Sequence, residues 1–184
     1  MKDLLLDNPI IAAVHDESTL EHAINSEANI IFILQGNILN LKEIGEKIKT
    51  SNKSFFVHLD RVEGLKADES DIKFLKQQIN PTGIVTTKHH LIKTAKNLGL
   101  KVVLRVFIID SKSIKTAMHN ANESKPDAIE IMPGLSKKVI AYFVDQAVFP
   151  VIAGGLIDTK EEVIEALNAG AVAVSSSNEG IWQC

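Results

Sequence analysis

The feature that most constrains this chain is a beat. Eight short apolar runs, at residues 10–14, 30–34, 55–59, 83–85, 101–108, 127–131, 151–153 and 171–174, alternate with segments whose apolar residues recur at helical spacing. Runs this short and this apolar are buried strands, and strand–helix alternation covers both faces of a parallel sheet. Eight such units close a ring, so the expected fold is α/β: a compact TIM-like (β/α)8 barrel, one domain over residues 1–184. Such barrels usually take about 200 to 250 residues. Loops must therefore be minimal and the last helix truncated, since only residues 178–184 follow the eighth strand. A doubly wound open sheet is the alternative, but the first strand–helix turn lacks the G-x-G-x-x-G with which such a sheet binds a dinucleotide.

Local signals support the alternation. Ser18, with Glu21 three residues on, reads as an N-cap for the first helix, and Leu41, Ile44 and Ile48 define the buried stripe of the second. Ile72, Leu75 and Ile79 do the same for the third, Gly99 stops the fourth, and Ser136 caps the sixth. Residues 62–68 form a longer connection containing Gly64, a candidate lid.

In either architecture ligands bind at the carboxyl ends of the strands. The last two runs end in Gly154-Gly155 and in Ser175-Ser176-Ser177. Bare backbone N–H groups and serine hydroxyls on neighbouring strand ends make a cradle for a phosphate. Gly134, in the turn after the sixth strand, belongs to the same rim. Gly154→Val is accordingly expected to abolish ligand-induced stabilisation and leave the fold intact.

Other strand ends add charge. Arg105 alternates with Val103 and Phe107, and Glu130 with Ala128 and Met132, so neighbouring strands bring the two together, as a buried ion pair, a ligand contact or both. Asp60 reads as an acceptor for ligand hydroxyls or as a cap, and Arg61 follows it at the start of the lid. Lys88 serves an anion or snorkels from a helix start, and His15 is an acid–base group or part of a turn. No lysine lies within an apolar strand and no poised acid–base set stands out, so a sensor is favoured over an enzyme and no catalytic residue is assigned. A small phosphosugar isomerase or lyase, with Glu130 or Asp60 as base, is the alternative.

Composition limits partners. With 20 Lys and Arg against 23 Asp and Glu, the net charge of −3 gives no bulk reason for constitutive nucleic-acid binding. Basic residues do cluster at Lys88, His89, His90, Lys93, Lys96 and Lys101, and at Lys137-Lys138, but a solvated helix face is the better account of each. The single cysteine, Cys184, excludes an internal disulfide, and His89-His90 lacks the spacing of a metal site, so no metal is expected. Acidic residues interrupt the apolar N-terminal stretch, which reads as neither signal peptide nor membrane span; a soluble cytoplasmic protein is expected.

Across essentially the whole chain the sequence resembles the glycerol uptake operon antiterminator regulatory proteins. The resemblance is carried by NPIIAAVHD, FFVHLDRVEGL, GIVTTKHHLIKTAKNLGL, LRVFIID, DAIEIMPG and PVIAGGLIDTKEEVIEALNAGAVAVSSS. It is most specific at residues 60–65 and 132–134; the glycine–serine cradle is common to many phosphosugar enzymes. It implies a bacterial cytoplasmic barrel that binds glycerol 3-phosphate in the cradle, needs no cofactor beyond that ligand, and acts on leader mRNA to promote transcription antitermination. RNA as a partner comes from the resemblance alone, and homo-oligomerisation stays open.

Overall fold

The computed structural model describes residues 4–5 and 8–183; the readings of the extreme N-terminus at residues 1–3 and 6–7, and of Cys184, lie outside the described residues. The strands and helices follow the expected order. Strand β1 (Ile10–Val14) leads into α1 (Glu17–Asn25), and β2 (Ile30–Ile33), with a two-residue strand β3 (Gly36–Asn37), into α2 (Leu41–Thr50). Then come β4 (Ser54–His58), a second two-residue strand β5 (Val62–Glu63), and α3 (Glu69–Phe74), which ends in a wider turn over Leu75–Ile79. Strand β6 (Gly83–Thr86) precedes a 3-10 turn at His89–Leu91 and α4 (Ile92–Asn97). The second half runs β7 (Lys101–Phe107), α5 (Ser111–Ser124), β8 (Ala128–Met132), α6 (Lys137–Gln146), β9 (Val151–Gly154), α7 (Lys160–Asn168) and β10 (Ala173–Ser176).

Eight of these strands close a parallel barrel in the order β1-β10-β9-β8-β7-β6-β4-β2. Side-chain alternation splits the core in two. Ile11, Phe32, Phe56, Val85, Val103, Ala128, Ile152 and Ala173 point inward and fill the barrel, while Ile10, Ile31, Phe55, Ile84, Ile129 and Val174 point outward beneath the helices. Burial on both faces explains why the strands read as continuous apolar runs with no period-two signal. The two short strands, unforeseen in the sequence, pair with each other over the mouth: Gly36 lies opposite Val62, and Asn37 opposite Glu63.

Helix starts follow side-chain chemistry. Helix α1 is capped by Asp16 rather than Ser18: Oδ1 of Asp16 accepts from the Thr19 N–H at 2.9 Å and from the Ser18 hydroxyl at 2.7 Å. These bonds favour the charged carboxylate and hold its pKa down at about 2. Ser136 caps α6 as expected. Asp68, Asp110 and Thr159 close reciprocal capping boxes on α3, α5 and α7.

Turns occupy the described residues after β10, and there Trp182, 1% exposed, packs into the outer core and donates its indole N–H to the Ser176 carbonyl at 2.7 Å.

Candidate functional site

The top of the barrel carries a buried polar layer. β7 and β8 pair Arg105 with Glu130 in register, as their alternation required, and Nε of Arg105 donates to Oε2 of Glu130 at 2.6 Å. The other carboxylate oxygen accepts from the Ser175 hydroxyl at 2.5 Å. Arg105 is 5% exposed and Glu130 0%, so each charge is compensated where water is excluded.

Gly154 makes this layer possible. A Cβ at that position would lie 2.5 Å from Glu130 Oε1 and 2.6 Å from Ser175 Oγ, so the carboxylate reaches across β9 through the space a side chain would occupy. The expectation that Gly154→Val spares the fold is therefore overturned: a valine would drive into a buried charge pair. Gly155, at φ +74, turns the chain out of the strand, and Leu156 follows at φ +60. The Gly134 N–H donates to the Gly154 carbonyl at 2.7 Å, which fixes the β8 turn against the β9 turn. Gly134 and Gly154 are thus packed as structural neighbours.

Above this layer lies a cavity of about 170 Å³, walled by Gly155, Leu156, Ile157, Asp158, Ser175, Ser176 and Ser177 on one side and by Ala13, His15, Leu34, Arg61, Arg105, Phe107 and Met132 on the other. Two guanidinium groups face one carboxylate there, so the cavity suits an anion. The serines are not equivalent. The Ser175 hydroxyl is spent on Glu130, and that of Ser176 donates to the Ile157 carbonyl at 2.7 Å and accepts from the Asn178 N–H at 3.0 Å, whereas Ser177 is exposed. Gly155, Ser177 and Arg105 are the members of the glycine–serine rim best placed to meet a ligand.

A larger cavity, about 640 Å³, opens beside it between β1, β2 and the β3–β5 strap, and shares His15 and Arg61 with the first. Asp16, Glu17, Asp60 and Glu63 line it, a set that repels a phosphate. Arg61 stands at the junction: Nε donates to the Leu34 carbonyl at 3.2 Å, and Nη2 donates at 3.2 Å to the Gln35 side-chain oxygen when that amide is oriented to satisfy its neighbours. Burial and then the Arg61 charge lower the pKa of His15, which favours its neutral form.

Asp60 is engaged by the protein itself, accepting from the Thr87 N–H at 2.6 Å and from the Thr86 hydroxyl at 3.0 Å. Lys88 lines neither mouth cavity; its ammonium donates to the carbonyls of Lys66 and Ala67 at 3.1 and 2.8 Å. Those bonds anchor the 62–68 connection, which the β3 pairing and the Asp71 carboxylate on the Lys66 and Asp68 N–H groups tie down elsewhere. The segment read as a lid is pinned at three points in this structure.

Sequence reasoning missed His58. It ends β4, points into the barrel, is 2% exposed, and leaves Nδ1 without a hydrogen-bond partner, 3.8 Å from Asp60 Oδ2. Desolvation first, then the Arg105 charge, push its pKa down to about 4, so it is neutral at pH 7. The available signal was a polar residue in phase with Phe56 on an inward-facing strand.

No group of three or more His, Cys, Asp or Glu able to hold a metal occurs among the described residues, and no described helix is long and apolar enough to cross a membrane.

The fold and rim together define a (β/α)8 barrel with a small cavity lined by two arginines at its C-terminal mouth. Comparison with known proteins narrows the class. Residues 10–182 match the glycerol-3-phosphate responsive antiterminator family. The Escherichia coli K12 protein YgcP, uncharacterised, is 41% identical over 179 residues, 97% of this chain and 94% of that protein. The glycerol uptake operon antiterminator regulatory protein of Listeria monocytogenes superposes with TM-score 0.92 at 32% identity, over 96% of this chain and 95% of its own. A related Thermotoga maritima protein gives 0.86 at 33%, over 96% and 99%. This chain belongs to the glycerol-3-phosphate responsive antiterminator family. Barrel aldolases and an epimerase align at only 13–16% identity, which shows a common fold and nothing of activity.

Proposed function

We propose that this protein is a cytoplasmic regulator that binds glycerol 3-phosphate at the barrel mouth and, so loaded, binds leader mRNA to promote transcription antitermination of glycerol-utilisation genes. The observation that carries the ligand half is the cavity of about 170 Å³ beneath Gly155 and Ser177, with Arg105 in its floor and Arg61 in its wall. It is small, cationic and partly apolar, which fits a phosphate on a three-carbon polyol better than a long anion. Arg105 is held rigid by Glu130, so its charge is preorganised and little side-chain entropy is lost on binding. The glycerol end points toward Arg61 and His15, where the two cavities meet.

Filter retention of leader RNA, with and without glycerol 3-phosphate, tests the whole reading. Retention rising with ligand is expected; retention indifferent to ligand overturns it. The enzyme reading draws on one observation, the neutral His58 beside Asp60, an acid–base couple at a strand end. Turnover of a triose phosphate that disappears in His58→Gln would establish it instead.

A further inference from the structure

A third concavity, about 520 Å³, lies on the outer wall of the barrel, between the 3-10 turn that opens α4 and the C-terminus of α5. His89, His90, Lys93, Lys96 and Lys125 line it, with Glu123 the one acidic side chain among them. In a chain of net charge −3 this is a local reversal of sign. We propose that this groove is the docking surface for RNA, with backbone phosphates on Lys93 and Lys125 and an unstacked base against the His89–His90 pair. The inference rests on the RNA-binding reading above and adds the surface to it.

The lysines are not equivalent. Lys96 is committed: its ammonium donates to the Lys125 carbonyl at 2.8 Å and lies 3.7 Å from Asp127. The ammonium groups of Lys93 and Lys125 make no hydrogen bond or ion pair among the described residues, and both side chains are exposed. Unpaired cations are the ones that exchange small counterions for phosphates. The competing basic pair, Lys137-Lys138, fails this criterion, because Lys137 is already paired with Glu165 at 2.9 Å.

The histidines favour nucleic acid over an acidic protein surface. Their rings stand edge to face, centroids 6.1 Å apart at 85°, with His90 exposed and His89 half-buried at the edge of the groove. Imidazole faces stack with splayed bases of single-stranded RNA, and a concavity of this size admits a nucleotide.

The groove is also wired to the mouth. Asp60, which lines the larger cavity, accepts from the Thr87 N–H at 2.6 Å, and His89 follows two residues later. Lys88, between them, holds the 66–67 carbonyls through its side chain and accepts from the Leu91 N–H at 3.1 Å through its own carbonyl. Asp60 is thus connected to the groove's lip through bonded neighbours.

The test uses the full chain, saturating glycerol 3-phosphate and a fluorescent single-stranded leader RNA, read by anisotropy across a salt series. Lys93→Glu/Lys125→Glu is expected to weaken binding by more than about tenfold and to flatten the log–log salt slope by about 1.4. Lys137→Glu/Lys138→Glu should leave both readouts near wild type, and ligand-induced thermal stabilisation should persist in each variant. If the charge reversal misfolds, Lys93→Gln/Lys125→Gln replaces it, with a smaller loss in the same direction. Wild-type affinity in the groove variants, with ligand-dependent binding intact in the parent, sinks the groove and spares the function. Failure of the parent to bind RNA in either ligand state sinks both. Competition by poly-glutamate at the same concentration as unlabelled RNA assigns the groove to an acidic protein and overturns the proposal.

Discussion

The two cavities at the mouth share Arg61 and His15 yet differ in kind. On the β9–β10 side, Glu130 accepts from both Arg105 and Ser175 in a buried layer for which Gly154 leaves room, and the space above it is small and lined by two arginines. On the β1–β2 side the polar residues serve local backbone. Asp16 caps α1, and Asn37 accepts from the Leu39 N–H at 2.9 Å; the space beside them is nearly four times larger and lined by carboxylates. Under the proposed function the phosphate takes the smaller of the two, because an anion gains most where positive charge is already held in place.

The sharpest way to break this contrast is to remove one carboxylate from each side. Glu130→Ala leaves Arg105 buried without its partner and is expected to cost about 3–5 kcal/mol by denaturant unfolding. Glu63→Ala, exposed and unpaired, should stay within about 0.5 kcal/mol of the parent and slightly strengthen phosphate-ester binding by calorimetry, since it removes repulsion. Equal losses in the two variants would erase the distinction.

A smaller effect tests the dehydration of the buried layer. His58 has its folded pKa depressed to about 4 from 6.5. The unfolded chain therefore binds the extra proton first, so this contribution is fully present above pH 6.5 and is lost as pH falls from 6.5 toward 4. The expected span is about 3 kcal/mol, and His58→Gln should flatten the thermal midpoint across that window. An unchanged profile in the variant would mean the layer is wetter than its packing indicates. Smallest is Gly155→Ala, which places a side chain at φ +74, where it also meets Met132 Cε. About 1 kcal/mol of destabilisation is expected, with a larger proportional loss of glycerol 3-phosphate affinity in a thermal-shift titration.

Much of the fold was legible beforehand because βα alternation is local. A strand buried on both faces must be apolar throughout, and each helix must carry one apolar stripe, so residue order alone implied the closed ring. Boundaries moved where a single side chain decides them, as when Asp16 took the cap assigned to Ser18. The Arg105–Glu130 contact was equally legible, because two charges in phase on adjacent strands of one register have to meet. The β3–β5 strap was not: Gly36-Asn37 and Val62-Glu63 become strands only because the barrel brings them side by side.

Sequence by itself determined the ring of strands, the polar residues at their carboxyl ends and the family to which the chain belongs, since these depend on residue type and spacing. Only the tertiary structure decided which of those polar residues remain available. Ser175, Ser176, Asp60 and Lys88 look alike in a string of letters, but each is already bonded to a partner 19 to 45 positions away. Hydrogen bonding saturates, and the partner that saturates a group is chosen by three-dimensional proximity.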